Sequence, residues 1–453
     1  MENKHTVAVP RRILTSLISS LAAGVVPRAG APYVAIGRKE EIGAFLSDLE
    51  SIGEGGSSMR FLIGRYGSGK SFLMQLVRGY ALERDFLTAD ADLTPERRLY
   101  GTGGSGVATY RELMKNLASK ASPDGGALQR IIARWIGDLQ ARVGEEDPAG
   151  TRLREAVMQD LREVEFLVGG FDFARVIAAY YRAYAEGNDE LMSACLCWLR
   201  GEFGSKTEAR RALGIQVSTV IDDENWYDFI KLWAVLARRI GYRGLVIFID
   251  ECVNLYKITH RVSRENNYEK ILSMFNDALQ GKAEGLLMVL GGTPQFLEDP
   301  RRGLFGYEAL RSRLCDSRFA DAEFKNLIGP VIRLRRLSDD ELFALIVRAT
   351  ALHGQNYRWE PRITADQQMR FLQLSLARAG GNVMMTPREL LRDYLTVLDI
   401  LMQNENVDFE GIISRVTAES RPVGEEDTDG DGSGDTPPTG GEKPTFSPVD
   451  IVF

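Results

Sequence analysis

Apolar residues along the chain fall into two patterns. Short unbroken runs, "FLIG" at 61–64, "LVIFID" at 245–250 and "LLMVLGG" at 286–292, have the length and density of strands buried on both faces. Between and after them, apolar positions recur at helical spacing. Phe72, Leu73, Leu76, Val77 and Tyr80 follow the first run, and Ile271, Leu272, Phe275, Ala278 and Leu279 lie between the last two. Strands alternating with helices from about residue 56 predict an α/β fold, a parallel sheet joined by crossover helices.

Two stretches depart from this alternation. From about Thr94 to Asn225 the pattern is mostly helical ("ALQRIIARWIGDLQARV", "TRLREAVMQDLREV", "FDFARVIAAYYRAYAEG") with no comparable strand run, which predicts a large helical insertion in the core. From about Val331 to Ala418 the chain is again read as helical, entered by "LSDDELFALIVRAT", where Ser338 followed by Glu341 fits a capping box. The expected organisation is an N-terminal helical segment at 1–30, a core at 31–330, a helical subdomain at 331–418 and a tail at 419–453.

Composition changes this picture only at the end of the chain. With 453 residues, 44% hydrophobic and 26% charged, the chain is an ordinary globular one, long enough for more than one domain. The net charge of −7 is uneven: residues 421–453 hold eight acids against Arg421 and Lys443, a net of −6 that leaves the body near neutral at −1. "GEEDTDGDGSGDTPPTGGEKP" has almost nothing to bury and is expected to be a disordered linker. It ends in the apolar "TFSPVDIVF", read either as fraying residues or as a short motif that captures a partner on a flexible tether. A near-neutral body argues against strong non-specific DNA affinity, although clusters such as Arg301–Arg302 and Arg311–Arg313–Arg318 permit contact.

The four cysteines show no zinc or disulfide spacing, so a reducing, cytoplasmic setting is expected. "RRILTSLISSLAAGVVP" sets two arginines before an apolar stretch, as a secretory signal does. Thr15, Ser16, Ser19 and Ser20 interrupt it, and its apolar positions suit an amphipathic helix. No stretch approaches the ~18 apolar residues of a membrane span.

The candidate chemistry begins at the first strand. Gly64-Arg65-Tyr66-Gly67-Ser68-Gly69-Lys70-Ser71 matches G-x-x-x-x-G-K-[ST], after a strand and opening a helix, where a phosphate cradle must stand. Glycines let backbone N–H groups converge on phosphate oxygens, and the helix N-terminus adds its positive end. Lys70 would reach the β- and γ-phosphates of ATP, and Ser71 would give Mg²⁺ a hydroxyl ligand. The run 245–250 delivers Asp250 and then Glu251 to a strand's C-terminal end; Asp250 would hold the metal and Glu251 would activate water. Alone, such a pair of acids reads equally as a solvated turn. Thr293 ends the third run, as a γ-phosphate sensor or as part of a plain Gly-Gly-Thr-Pro turn. Arg313 and Arg388, on predicted helices, are candidates for stabilising transition-state charge. With three histidines, no H-E-x-x-H and no guanine-specifying N-K-x-D, zinc hydrolysis and histidine-based catalysis are poorly supported.

These motifs, with "IGR" at 36–38 and "SR" at 312–313, resemble those of the AAA+ superfamily, in the branch of origin-recognition and STAND-like ATPases. "VVPRAG", "IGRKEEI", "DECVNLYKI", "NYEKILSMFNDALQG", "RRGLFGYEALRSRL" and "TPRELLRDYL" together resemble a narrower prokaryotic family, which includes the accessory ATPase of BREX phage-defence systems. The resemblance covers about residues 7–400. It implies a Walker A site at Gly64–Ser71, a Walker B site at Asp250–Glu251, sensor 1 at Thr293, sensor 2 at Arg388, an arginine finger at Arg313 and an adenine neighbourhood around Arg38. It further implies a homo-oligomeric ATPase working with other defence proteins. The long separation of Lys70 from Asp250 departs from generic AAA+ chains and is assigned to the insertion. No winged-helix pattern follows the helical subdomain, which weakens a DNA-loading role. The expected function is therefore an Mg-ATP-hydrolysing defence subunit, with a nucleotide-gated switch or a DNA loader as alternatives.

Overall fold

A computed structural model of the chain describes residues 9–143, 151–316, 326–378 and 385–418. The apolar tail motif therefore lies outside the described residues, as does Arg318. The chain divides into two compact units, one over residues 40–335 and one gathering the residues before 40 and after 335.

The larger unit is built on five parallel strands: β1 (Ser58–Gly64), β2 (Leu87–Asp92), β3 (Leu245–Asp250), β4 (Leu286–Gly292) and β5 (Val331–Leu334), in the order β2-β3-β4-β1-β5. The three apolar runs are its inner strands, and β3 and β4 are buried along their whole length. Unbroken apolarity is what a strand covered on both faces requires.

The two edge strands escape the apolar pattern. β2, "LTADAD", alternates small and acidic residues; Ala89 and Ala91 are buried while Asp90 pairs with Arg78 at 3.2 Å. β5 corrects the boundary at 331: residues 331–334 begin no helical subdomain but pair with β1, burying Val331 and Ile332. A four-residue strand that contains Arg333 and runs into Arg335 and Arg336 carries too short a signal to stand out. What holds it is Arg60 of β1, whose guanidinium binds Asp48 (2.6 and 2.7 Å) and the carbonyls of Leu327, Ile328 and Gly329 just before β5.

The stretch between β2 and β3 is helical over most of the described residues. It lies in the same unit as the sheet and shares one hydrophobic core with it, and within the stretch Trp233 and Phe173 meet edge-on with centroids 5.0 Å apart. No helix among the described residues is long and apolar enough to cross a membrane.

The smaller unit is helical. Helix Arg11–Ala22 buries Leu14, Leu17, Ile18 and Leu21 and packs with helices Asp339–Tyr357 and Pro387–Gln403. The N-terminal segment is thus part of the C-terminal helical unit. The Ser338–Glu341 capping box is formed, and a second one joins Thr386 to Glu389.

One buried polar cluster in this unit makes its stability pH-dependent. Trp359 Nε1 donates to His353 Nδ1 (2.9 Å), so the other ring nitrogen, Nε2, carries the hydrogen donated to Asp399 Oδ1 (2.9 Å). The ring is fully buried and neutral; burial lowers its pKa below 6.5, with Asp399 opposing. The unfolded chain protonates first on acidification, so this contribution is full above about pH 6.5 and declines as pH falls from there toward the folded pKa. Thermal unfolding between about pH 7.5 and about pH 5.5 should show a falling midpoint, with a smaller fall in His353→Gln. Equal slopes in the two proteins would exclude the ring as the titrating group.

Candidate functional site

The turn between β1 and helix Lys70–Glu83 needs residues without side chains. Gly67 and Gly69 adopt φ of +74° and +90°, where a Cβ is strained. Gly64 is fixed by proximity instead: a Cβ there would collide with Ser68 Oγ and come 3.1 Å from Leu334 Cβ. Helix Lys70–Glu83 begins at Gly69 with no side-chain cap, so its first N–H groups are left to face an anion. Arg65 and Tyr66 are exposed, Tyr66 by 83%, whereas Ser68 is buried.

Lys70 folds back so that its Nζ donates to the Gly64 carbonyl (3.0 Å). Partial burial lowers its pKa, against the pull of Asp250 and Glu251. An ammonium short of solvent and facing two carboxylates is suited to an incoming polyanion.

Asp250 ends β3, with β4 between it and β1. Its carboxylate is almost wholly buried and fully engaged: Ser71 Oγ donates to Oδ2 (2.7 Å), and Glu251 N–H donates to Oδ1 (2.8 Å). The structure thereby brings together residues 179 positions apart. β4 permits this because it ends in glycine. A Cβ on Gly291 would overlap Asp250 Oδ1 and approach Met74 Cε to 2.7 Å.

Glu251 is exposed and holds φ +57°, one of three non-glycine residues with positive φ among the described residues. The following Cys252 is buried, and its N–H donates to the Gly291 carbonyl (2.9 Å). Burial and the adjacent acids Asp250, Glu251 and Asp92 push its thiol well above the ordinary range, so it has no reactive character.

Asp92 was missed by the sequence pattern. It ends β2 and stands in register with Asp250. Partial burial, Asp250, Glu251 and Asp90 together raise its carboxyl above the usual range, with Arg97 opposing. The available signal was the acidic end of "LTADAD", visible only once that segment is known to be a strand.

Of the remaining candidates, Thr293 and Arg313 make no hydrogen bond with this cluster among the described residues. Thr293 follows β4 and caps helix Pro294–Glu298, accepting weakly from Phe296 N–H (3.4 Å). Arg313, exposed on helix Glu308–Leu314, donates to Asn276 Oδ1 (3.1 Å) and to the Ala309 carbonyl of its own helix (2.7 Å). Arg38 and Arg388 belong to the helical unit. Arg38 is buried next to Gly37, against which the Glu341 carboxylate rests. Arg388 is exposed in the first turn of Pro387–Gln403, with its stem beside Gly24.

The uncapped helix, the glycine-lined turn, Lys70 and the Ser71–Asp250 pair fit a nucleotide's phosphates and a hard divalent cation. Gly291→Ala should drive Asp250 from its position. The expected outcome is about tenfold or greater loss of Mg²⁺-dependent ATP binding, with about 1–3 kcal/mol of destabilisation in thermal unfolding. An unchanged Mg²⁺ dependence would show that Asp250 does not need this close approach.

Comparison with known proteins agrees with this chemistry. No curated protein matches the chain. The model of the family described as BREX system ATP-binding protein BrxC/D matches residues 9–417. The chain belongs to that family of ATP-binding proteins of the BREX phage-defence system.

Proposed function

We propose that the chain hydrolyses Mg-ATP as an AAA+-type subunit of its defence system and uses the nucleotide state to engage partner proteins. The carrying observation is the 2.7 Å hydrogen bond from Ser71 to Asp250, which sets the end of the phosphate turn against the acidic end of β3. The strand order supports the reading too, because β1 and β3 flank β4 and bring the glycine-rich turn and the Asp-Glu pair to the same C-terminal edge of a parallel sheet.

Bound Mg-ATP supplies the phosphoanhydride bond that is broken. Gly67, Gly69 and the first N–H groups of Lys70–Glu83 bind phosphate oxygens, and Lys70 exchanges the Gly64 carbonyl for them. Ser71 and Asp250 would hold the metal, which would supply positive charge against the phosphates. Glu251 is left as the exposed carboxylate that orients the attacking water and takes its proton. Thr293 is proposed to sense the γ-phosphate. By the resemblance, Arg388 is proposed as sensor 2, Arg313 as an arginine finger from a neighbouring subunit and Arg38 as part of the adenine neighbourhood.

A second reading, a nucleotide-gated switch with slow turnover, is favoured by Arg313. Its guanidinium is exposed and, among the described residues, bonds Asn276 and its own helix, the arrangement of a residue offered to another chain rather than used at home. In that case partner binding sets the rate.

Lys70→Ala should abolish ATP binding, and Glu251→Gln should keep binding while lowering turnover at least about a hundredfold. The measurement is steady-state hydrolysis over a protein concentration series, with and without duplex DNA, alongside direct nucleotide binding. Retained affinity in Lys70→Ala would sink the phosphate-turn assignment. Turnover rising faster than concentration supports a finger in trans; binding without turnover selects the switch.

A further inference from the structure

Asp92 ends β2 in register with Asp250, and the charges of Asp250 and Glu251 both act on it; like charges so placed repel one another, and no three acids among the described residues are grouped closely enough to ligate one ion together. Asp250 is held by its two hydrogen bonds. Asp92 is the last residue of an edge strand, and its exposed side chain is free to turn to solvent unless the backbone beside it is tied.

The tie is on the next residue. Leu93 N–H donates to the Asp250 carbonyl (3.0 Å), and the Leu93 carbonyl accepts from Asn254 Nδ2 (2.7 Å). Asn254 lies on the short helix Val253–Tyr256 directly after Glu251, and its own N–H donates to the Glu251 carbonyl (2.9 Å). One asparagine thus joins the backbone that carries Glu251 to the backbone that carries Asp92.

The segment from Leu93 is pinned at its other end too. Leu99 and Tyr100 N–H groups both donate to Asn267 Oδ1 (3.0 and 2.9 Å), and Asn267 Nδ2 donates to the Tyr100 carbonyl (3.0 Å). Asn267 is fully buried on helix Arg261–Leu279. With the far end anchored, Asn254 ties the near end just past β2, while Asn116 Nδ2 holds the Asp90 carbonyl inside it (2.9 Å).

We propose that Asn254 is a positioning residue for the divalent cation: by holding the Leu93 carbonyl it keeps Asp92 in register beside Asp250, so that the Asp92 carboxylate faces the metal's water shell rather than the metal itself. A cation of the magnesium class keeps several waters and is best held by several oxygens around that shell, with Asp92 as one of them. Without the cation the three acids push apart; the tether preserves the arrangement until the cation arrives. The proposal rests on the Mg-nucleotide reading of this site.

The test is a double-mutant cycle on the full chain, read by the binding of a ribose-labelled fluorescent ATP during Mg²⁺ titration and again in EDTA. Asn254→Ala and Asp92→Asn should each raise the Mg²⁺ requirement about tenfold and leave the EDTA affinity unchanged. Because Asn254 acts through Asp92, the double variant should be no worse than Asp92→Asn alone. An unshifted Mg²⁺ requirement in Asn254→Ala, or additive effects in the double variant, would overturn the tether. A general loss of structure would weaken binding in EDTA as well, and that outcome also counts against it. Failure of the underlying reading would show in the unmutated protein, as fluorescent ATP binding that Mg²⁺ does not change.

Discussion

The hydrogen bond between Ser71 and Asp250 depends on a strand that contributes no functional side chain. Two strand spacings, about 10 Å, separate the backbones of β1 and β3, and β4 fills the gap. A serine on the helix after β1 can meet a carboxylate at the end of β3 only if nothing projects from β4 between them. Gly291 meets that requirement, and its carbonyl also receives the N–H of Cys252 as the chain turns away from β3. The glycines of "LLMVLGG" are therefore as much a part of the site as those of the phosphate turn.

Around that contact, charge is arranged so that the protein alone leaves it unbalanced. Lys70 is partly desolvated and turned onto a backbone carbonyl, while Asp92, Asp250 and Glu251 converge nearby. Glu251 keeps a left-handed backbone conformation that for a non-glycine residue costs of the order of 1–3 kcal/mol, sustained by hydrogen bonds on both sides of it. Phosphates and a divalent cation would relieve these charges together. Membership of an ATP-binding family and the geometry of the unit thus point the same way.

Much of the site was legible because its local chemistry is demanding. A turn with three glycines before Lys-Ser has few other uses, and an apolar run ending in Asp-Glu, ambiguous alone, gains meaning beside it. Both capping boxes are equally local: Ser338 with Glu341, and Thr386 with Glu389, each involve residues three apart. The edge strands and Asp92 were not legible, because an edge strand need not be apolar and its pairing partners lie far away in sequence. β5 joins the sheet through contacts with β1 that are some 270 positions distant, and Arg60 secures it from β1. Nor could pattern alone assign helix Arg11–Ala22 to the helices after residue 335.

The amino-acid sequence by itself determined the α/β class with a parallel sheet, the glycine-rich turn, the Asp-Glu pair and the family. Each of these is carried by backbone conformation or by a short apolar run, properties set within a few residues. Tertiary structure alone decided the strand order, the five-strand sheet with β5 beside β1, the close packing of Gly291 on Asp250 and the arrival of Asp92 beside the acidic pair. Those are long-range pairings, and their selection depends on which buried surfaces and hydrogen-bonding groups can be satisfied together.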